Sequence, residues 1–359
     1  MRPMRICIIG SSRFPIREPF AGGLEAHTHA LARRLSERGH EVTLFAAPGS
    51  DPTLGVEELA VEQLEPGTGE RSDTSYPPHW WMQEHHAYQG LMLELMRRGH
   101  ERFDVIHNNS IHHLPVAMAD VLRIPMVTSL HTPPTPWLRS AMAHVSPRAV
   151  FVAVSRCTAE AWRGTVVSQA ILNGVDTDRW VAGPGGGPAV WSGRLVPEKA
   201  PHLAIDAARR AGMPLLLAGP LLDEEYVARE VRPRLGDDVR HVGHLDQRAL
   251  CALVGSARVA VVTPDWEEPY GLVAAEAMAC GTPVAALDRG AMREVVLGGG
   301  GVLADPHDPA ALARAMVTAA GMDRDVVRRT AVEHCSLERM VDSYEQVYRQ
   351  ALESPREAA

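Results

Sequence analysis

A guanidinium and an ammonium stand five positions apart in Ser192-Gly193-Arg194-Leu195-Val196-Pro197-Glu198-Lys199-Ala200. Arginine presents a planar fork that matches two oxygens, and lysine is a compact point charge on a flexible stem. On one loop after a strand, the two can close on a diphosphate from two sides. Lys199 is also the single lysine among 36 basic residues. Further along, Thr263-Pro264-Asp265-Trp266-Glu267-Glu268-Pro269-Tyr270-Gly271-Leu272 reads as a strand end, a turn and a helix start. Ligands of open α/β sheets bind beyond the carboxyl ends of strands, and free amides at a helix start hold anionic or hydroxylic groups. Glu268 in that turn can accept from two hydroxyls at once. Glu276 can bond a diol such as ribose; it lies in the apolar run 272–279, where an acid wants a partner.

Two first-half segments offer complementary chemistry. In Phe20-Ala21-Gly22-Gly23-Leu24-Glu25-Ala26-His27, the two glycines let backbone approach a ligand and the helix start favours anions. Ser129-Leu130-His131-Thr132-Pro133 ends a strand, so His131 is expected in a cleft. Arg13 and Arg17 are read first as solvated loop arginines, with contact to an anionic acceptor as the alternative. The pairs His27/His29, His85/His86 and His112/His113 sit on different faces of their own elements, and none completes a metal-ligand set by itself. Trp80 and Trp81 are read first as core packing and second as an acceptor-facing patch. The five cysteines have no C-x-x-C spacing and read as buried thiols.

These residues need elements to hold them, and the alternation of short apolar runs with helical patterns supplies a doubly wound parallel architecture. Strands are expected at 5–9, 42–46, 105–108, 125–130, 149–154 and 169–172, with a helix at 24–38 and a long irregular excursion at 48–76. The run Gly183-Pro184-Gly185-Gly186-Gly187-Pro188 breaks regular structure and marks a boundary. Beyond it strands are expected at 189–192, 214–218, 239–242, 259–263 and 283–287, and helices at 202–211, 224–235, 248–257, 271–279, 309–321 and 337–352. The resulting division is 1–182, a linker 183–188, 189–336, and a helix in 337–359 crossing back toward the first domain.

The chain of 359 residues is 45% hydrophobic and 22% charged, enough for two full cores of about 150–180 residues each. A formal charge of −8 argues against nucleic acid as the main ligand. No run reaches the roughly 20 apolar residues of a membrane span, and the first residues read as a strand, so a cytoplasmic location is expected.

At the glutamate segment the chain resembles glycosyltransferase family 4, a large retaining GT-B family. Its hallmark is two glutamates separated by seven residues, in the context E-x-(F/Y)-G-L-x-x-x-E-A-M-A-x-G-x-P-V. Here it is matched by Glu268, Tyr270, Gly271, Leu272, Glu276, Ala277, Met278, Ala279, Gly281, Pro283 and Val284. The family's G-R-L…K-G is matched at Gly193, Arg194, Leu195 and Lys199, with Ala200 in place of glycine, a departure expected to cost little. Asn173-Gly174-Val175-Asp176 matches a family signature near the domain junction and is read as a structural turn. The resemblance implies two Rossmann-like domains facing across a cleft. It implies retaining transfer from a nucleoside-diphosphate sugar, UDP foremost, to a small-molecule or glycan acceptor, with no metal or other cofactor. It places Arg194 and Lys199 on the diphosphate, Glu268 on the donor sugar and Glu276 on the ribose, in a donor-binding turn that includes Tyr270, Gly271 and Leu272. Gly22, Gly23 and His131 would border the reacting carbon. A lipid acceptor at a membrane has no support in the sequence. An epimerase or hydrolase on the same fold, and a non-catalytic sugar-nucleotide-binding protein, remain open alternatives. A dinucleotide dehydrogenase would need the G-x-G-x-x-G that Gly10-Ser11-Ser12 does not supply.

Overall fold

Aliphatic runs with no polar face become strands buried on both sides: Ile6, Ile8 and Ile9 of β1 (Arg5–Ile9) are fully buried. The computed structural model describes residues 2–59, 78–146 and 149–353. From β1 the chain runs through α1 (Gly23–Glu37), β2 (Glu41–Ala46), β3 (Val56–Glu58), α2 (His79–Arg102) and β4 (Val105–Asn108). It continues through α3 (His113–Ala117), β5 (Met126–Leu130), α4 (Pro136–Met142), β6 (Val150–Ala153), α5 (Arg156–Trp162) and β7 (Ser168–Ala170). The strands form one parallel sheet in the order β3-β2-β1-β4-β5-β6-β7. Of the long excursion at 48–76, the structure shows β3; from residue 60 onward it lies outside the described residues.

The second half comprises β8 (Ala189–Ser192), α6 (Pro201–Arg210), β9 (Leu215–Ala218), α7 (Glu224–Tyr226), β10 (Val239–His241) and α8 (Gln247–Ser256). Then come β11 (Ala260–Val262), α9 (Leu272–Ala279), β12 (Val284–Leu287), α10 (Met292–Val295), β13 (Gly301–Ala304), α11 (Ala311–Ala319) and α12 (Arg324–His334). Its sheet is parallel in the order β10-β9-β8-β11-β12-β13. Both sheets therefore reverse direction beside their first strand, between β1 and β4 and between β8 and β11. Such switch points leave a crevice at the strand ends.

Seven elements were absent from the sequence reading: the short helices α3, α4, α5 and α10, each of at most seven residues and too brief to show a period, and α2, β13 and α12. In α2 the buried Tyr88, Leu91, Met92, Leu95 and Gly99 recur at helical spacing, but polar histidines and arginines around them mask the stripe. β13 follows Gly298, Gly299 and Gly300, which read as a loop. In α12 the core side is made only by Val327, Thr330 and Ala331.

The glycine- and proline-rich run 183–188 is irregular yet fixed. Its Gly183, Gly185 and Gly187 amides donate to Cys280 O, Gly255 O and Ser256 O at 2.9–3.2 Å. Arg324 adds hydrogen bonds to Gly183 O, Gly255 O, Ala257 O and Cys280 O, so one guanidinium pins this run to the second half. The final helix, α13 (Leu337–Glu353), returns to the first sheet and buries Val341, Tyr344, Val347 and Tyr348 there. At about 1.5–3 kcal/mol per large apolar side chain, this is a firm strap. Its polar tips are satisfied as well: Tyr348 Oη lies 2.7 Å from His107 Nδ1 and Tyr344 Oη 2.9 Å from Ser129 Oγ. The outgoing and returning chains cross side by side, Val175 N donating to Cys335 O at 2.7 Å and Leu337 N to Val175 O at 3.0 Å. A Cβ on Gly174 would fall 2.6 Å from the Leu337 Cα, which is why the crossing carries glycine.

Candidate functional site

Residues following β1, β5, β8 and β11 line one cleft of about 350 Å³ between the two halves. Every residue singled out above as catalytic or donor-binding borders it: Gly22, Gly23 and His131 from the first half, and Arg194, Lys199, Glu268, Tyr270, Gly271, Leu272 and Glu276 from the second.

The second-half wall is built around one carboxylate. Glu268, only 7% exposed, accepts from Lys199 Nζ at 2.5 Å and from Trp266 Nε1 at 2.9 Å. Lys199 Nζ also lies 5.1 Å from the Trp266 ring centroid, so charge and ring face fix the ammonium together. Thr263 Oγ1 accepts from Trp191 Nε1 at 2.9 Å and donates to Lys199 O at 2.9 Å, tying the end of β11 to the turn that carries Lys199. Arg194 lies 3.5 Å from Glu198. The turn bearing Glu268 is held from behind: Ala291 N donates to Glu268 O at 2.8 Å, and a Cβ on Gly290 (φ +58°) would fall 2.3 Å from the Glu268 backbone. Gly271 opens α9 at φ +88°, where a Cβ would lie 2.0 Å from Met292 Cε. Tyr270 borders the cleft, but its ring is buried in the second-half core. Glu276 is half-buried and faces both the cleft and a small cavity of about 30 Å³ beneath α1. Burial pushes its carboxyl up to about 7, so near neutral pH it has both a proton to donate and oxygens that accept.

The first-half wall carries Arg13 and Glu25 and, between them and the core, histidines without charge. Thr28 Oγ1 donates to Leu24 O at 2.8 Å, so it accepts from Asn109 Nδ2 at 3.0 Å. That turns Asn109 Oδ1 toward His131 Nε2, 2.5 Å away, and Nε2 carries the proton. Burial, with His27 and His107 nearby, holds His131 well below the ordinary histidine range, so the ring is uncharged and leaves Nδ1 as a lone pair. His27 stacks edge-on against it at 5.1 Å; it is 2% exposed, neither ring nitrogen is hydrogen-bonded, and burial depresses it to about 4. The glycine pair brings the halves together. A Cβ on Gly22 would come within 3.8 Å of Arg194 Cδ, and one on Gly23 within 3.3 Å of Leu272.

Several expectations change. Ala200 is buried in the left-handed region at φ +43°, the one non-glycine residue there among those described. Its substitution for glycine is therefore strained rather than inexpensive. Trp80 is 59% exposed, so core packing does not account for it; Trp81 stacks on His85 at 5.1 Å. Arg13 is answered by Glu84 at 2.8 Å, which leaves it no free charge for an acceptor, while Arg17 is exposed. The histidine pairs, read one element at a time, miss that His85 of α2 meets His112 and His113. Trp191, Thr263, Trp266 and Gly290 were missed as supports of Lys199 and Glu268. The first three lie in the segments already recognised, whereas Gly290 carries no local signal.

Residues 21–179 match the family model described as Glycosyltransferase Family 4, and residues 188–320 the model described as Glycosyl transferases group 1. A glycogen synthase of Mycobacterium tuberculosis is 31% identical, the alignment covering 87% of this chain and 85% of that protein. A D-inositol 3-phosphate glycosyltransferase of Geodermatophilus obscurus is 27% identical, over 98% of this chain and 90% of the other. Among solved structures, AviGT4, a glycosyltransferase involved in avilamycin A biosynthesis, superposes with TM-score 0.69 at 24% identity, covering 98% of both chains. Anabaena HepE in complex with UDP and glucose superposes with TM-score 0.74 at 19% identity, covering 97% of this chain and all of that one. With two parallel sheets facing across this cleft and both family models matched in order, the chain is a GT-B glycosyltransferase and belongs to glycosyltransferase family 4.

Proposed function

We propose that the chain transfers a sugar from a nucleoside-diphosphate sugar, UDP foremost, to a hydroxyl of a small-molecule or glycan acceptor, with retention of configuration. The observation that carries this is the Lys199–Glu268–Trp266 constellation, 2.5 Å and 2.9 Å about one carboxylate, at the switch point of the second sheet. Arg194 and Lys199 take the diphosphate, Glu268 the donor-sugar hydroxyls and Glu276 the ribose. Gly22, Gly23 and His131 border the anomeric carbon. The fold that holds UDP and glucose in HepE supports a uridine donor. Relatives named for glycogen and for D-inositol 3-phosphate keep both a glycan and a small polyol within the acceptor class.

No carboxylate is assigned as a nucleophile, since Glu268 already answers Lys199. The leaving phosphate therefore takes the acceptor proton on the face it vacates. The bond from anomeric carbon to phosphate oxygen breaks, the bond to the acceptor oxygen forms on the same face, and the proton ends on the departing diphosphate. Lys199 and Arg194 supply the positive charge for that departure, so the reading requires no divalent ion. Closure about the crossing at 174–176 and 335–337 would exclude water. A cytoplasmic setting fits the five free thiols, which include Cys251 and Cys280 with sulfurs 3.8 Å apart.

The test is incubation with UDP- and GDP-sugars, with and without acceptor mixtures, followed by NMR of the product anomer. Nucleoside diphosphate released only when acceptor is present, with the donor anomer retained, is the expected result. Donor conversion without acceptor would make the protein an epimerase or hydrolase, and an inverted product would refute the same-face mechanism.

A further inference from the structure

Three imidazoles converge where α2 packs on α3, outside the residues that line the cleft. His85 comes from the second turn of α2, and His112 and His113 from the start of α3. One ring nitrogen of each lies within 4.8 Å of the others. His112 and His113 stack at 4.4 Å, and His85 stands 6.0 Å and 5.8 Å from them, centroid to centroid. Aromatic faces close the group: Trp81 stacks on His85 at 5.1 Å and Tyr88 on His112 at 4.4 Å. His85 Nδ1 is buried with no hydrogen-bond partner, an unpaid desolvation unless something binds there. The carboxylate that acts on the group among the described residues, Glu84, pairs with Arg13, so the ligand atoms gathered here are imidazole nitrogens.

From this convergence we infer a binding site for a borderline-soft divalent transition ion, zinc in the first instance, with His85, His112 and His113 as ligands. Imidazole suits that class of ion, and three histidines are a complete protein ligand set where a fourth position is left to solvent. Tetrahedral zinc needs its nitrogens roughly 3.4 Å apart, so from separations of up to 4.8 Å the rings must draw together on loading. His112 Nδ1 presently accepts from Leu114 N at 3.2 Å, capping α3. Giving up that cap is a small cost beside the free energy of a well-formed zinc site. The ion would staple α2 to α3 and so fix the first turn of α2, where the exposed Trp80 lies under Arg13, a residue that borders the cleft. This role is positional, and it stands whether or not the transfer reading is right.

The experiment uses the full chain, stripped with EDTA and titrated with zinc chloride by calorimetry and with cobalt chloride by visible absorption. One equivalent per chain, a tetrahedral cobalt spectrum and a zinc-dependent rise in melting temperature are expected. His113→Ala and His85→Asn should each weaken binding at least 30-fold, while His144→Ala, on an exposed histidine, leaves it unchanged. Circular dichroism of each variant separates lost ligation from lost folding, and the wild-type cobalt spectrum decides the matter if a variant fails to fold. Less than a tenth of an equivalent on the wild type, or wild-type affinity in both variants, overturns the site.

Discussion

The two walls of the cleft are built on opposite principles. On the second-half wall, charges are paired and braced: Lys199, Glu268 and Trp266 meet at 2.5 Å and 2.9 Å, with Thr263 and Gly290 holding the two turns in place. On the first-half side, histidines at and behind the wall are held without charge: His131 lies well below its ordinary range, His27 falls to about 4 and His107 to about 3. A wall of fixed charge suits a ligand whose charge is always the same, a diphosphate. A wall of neutral rings suits a partner that carries no fixed charge, a hydroxyl. Preorganised charge is where electrostatic stabilisation is concentrated, so the walls should respond unequally to substitution.

Lys199→Ala gives the largest effect. Turnover with a nucleotide sugar should fall by about 10³-fold with the fold retained, and the melting temperature should drop because the buried Glu268 loses its cation. His131→Ala should cost about 10²-fold, the scale of a misplaced reacting group. A His131 loss as large as that of Lys199 would break the comparison and move the electrostatic centre to the first half. Glu276 sharpens it further, since its carboxyl is raised to about 7 by burial. Below about 4.5 it is protonated both folded and unfolded, and burial costs nothing. Between about 4.5 and about 7 only the unfolded chain releases the proton, so stability declines as pH rises and levels off above the folded value. Glu276→Gln removes that decline. Its melting temperature relative to wild type should climb from pH 5 to pH 8, and a constant difference would show that the carboxyl titrates normally. If Glu276 holds the ribose, the same variant weakens nucleotide binding in calorimetry.

The asymmetry between the walls also explains what the sequence let through. Lys199 and Glu268 each lie in a contiguous strand-turn-helix segment, so each motif was legible by itself; that the two side chains meet depends on β8 lying beside β11. The sheets were legible for the same reason, as strands buried on both faces stand out as apolar runs. The first wall is assembled from distant pieces. His85 and His112 are adjacent only because α2 packs on α3, and α2 itself was hidden by polar residues around its buried stripe. Gly290 lies 22 residues after Glu268 and matters only through a backbone approach of 2.3 Å. No periodicity announces such a contact. The alternation did register α13, but its role as a strap depends on Tyr344 and Tyr348 finding Ser129 and His107 across the first sheet.

The smallest effect probes a flaw in the braced wall itself. Ala200 follows Lys199 directly and holds φ +43°, ψ 54°, capping the turn and opening α6. For a residue with a Cβ this region costs about 1–2 kcal/mol, and glycine adopts it freely. Glycine in turn gives the unfolded chain more freedom, which returns roughly 0.5–1 kcal/mol of the gain. Ala200→Gly should therefore stabilise the protein by about 0.5–1 kcal/mol in chemical denaturation. Two opposite results carry different meanings. A destabilised variant would show that the buried methyl of Ala200 packs well enough to outweigh its strain. A stabilised variant with slower turnover would show that the strain helps hold Lys199 against Glu268, and that the rigidity of this wall rests partly on one unfavourable backbone angle.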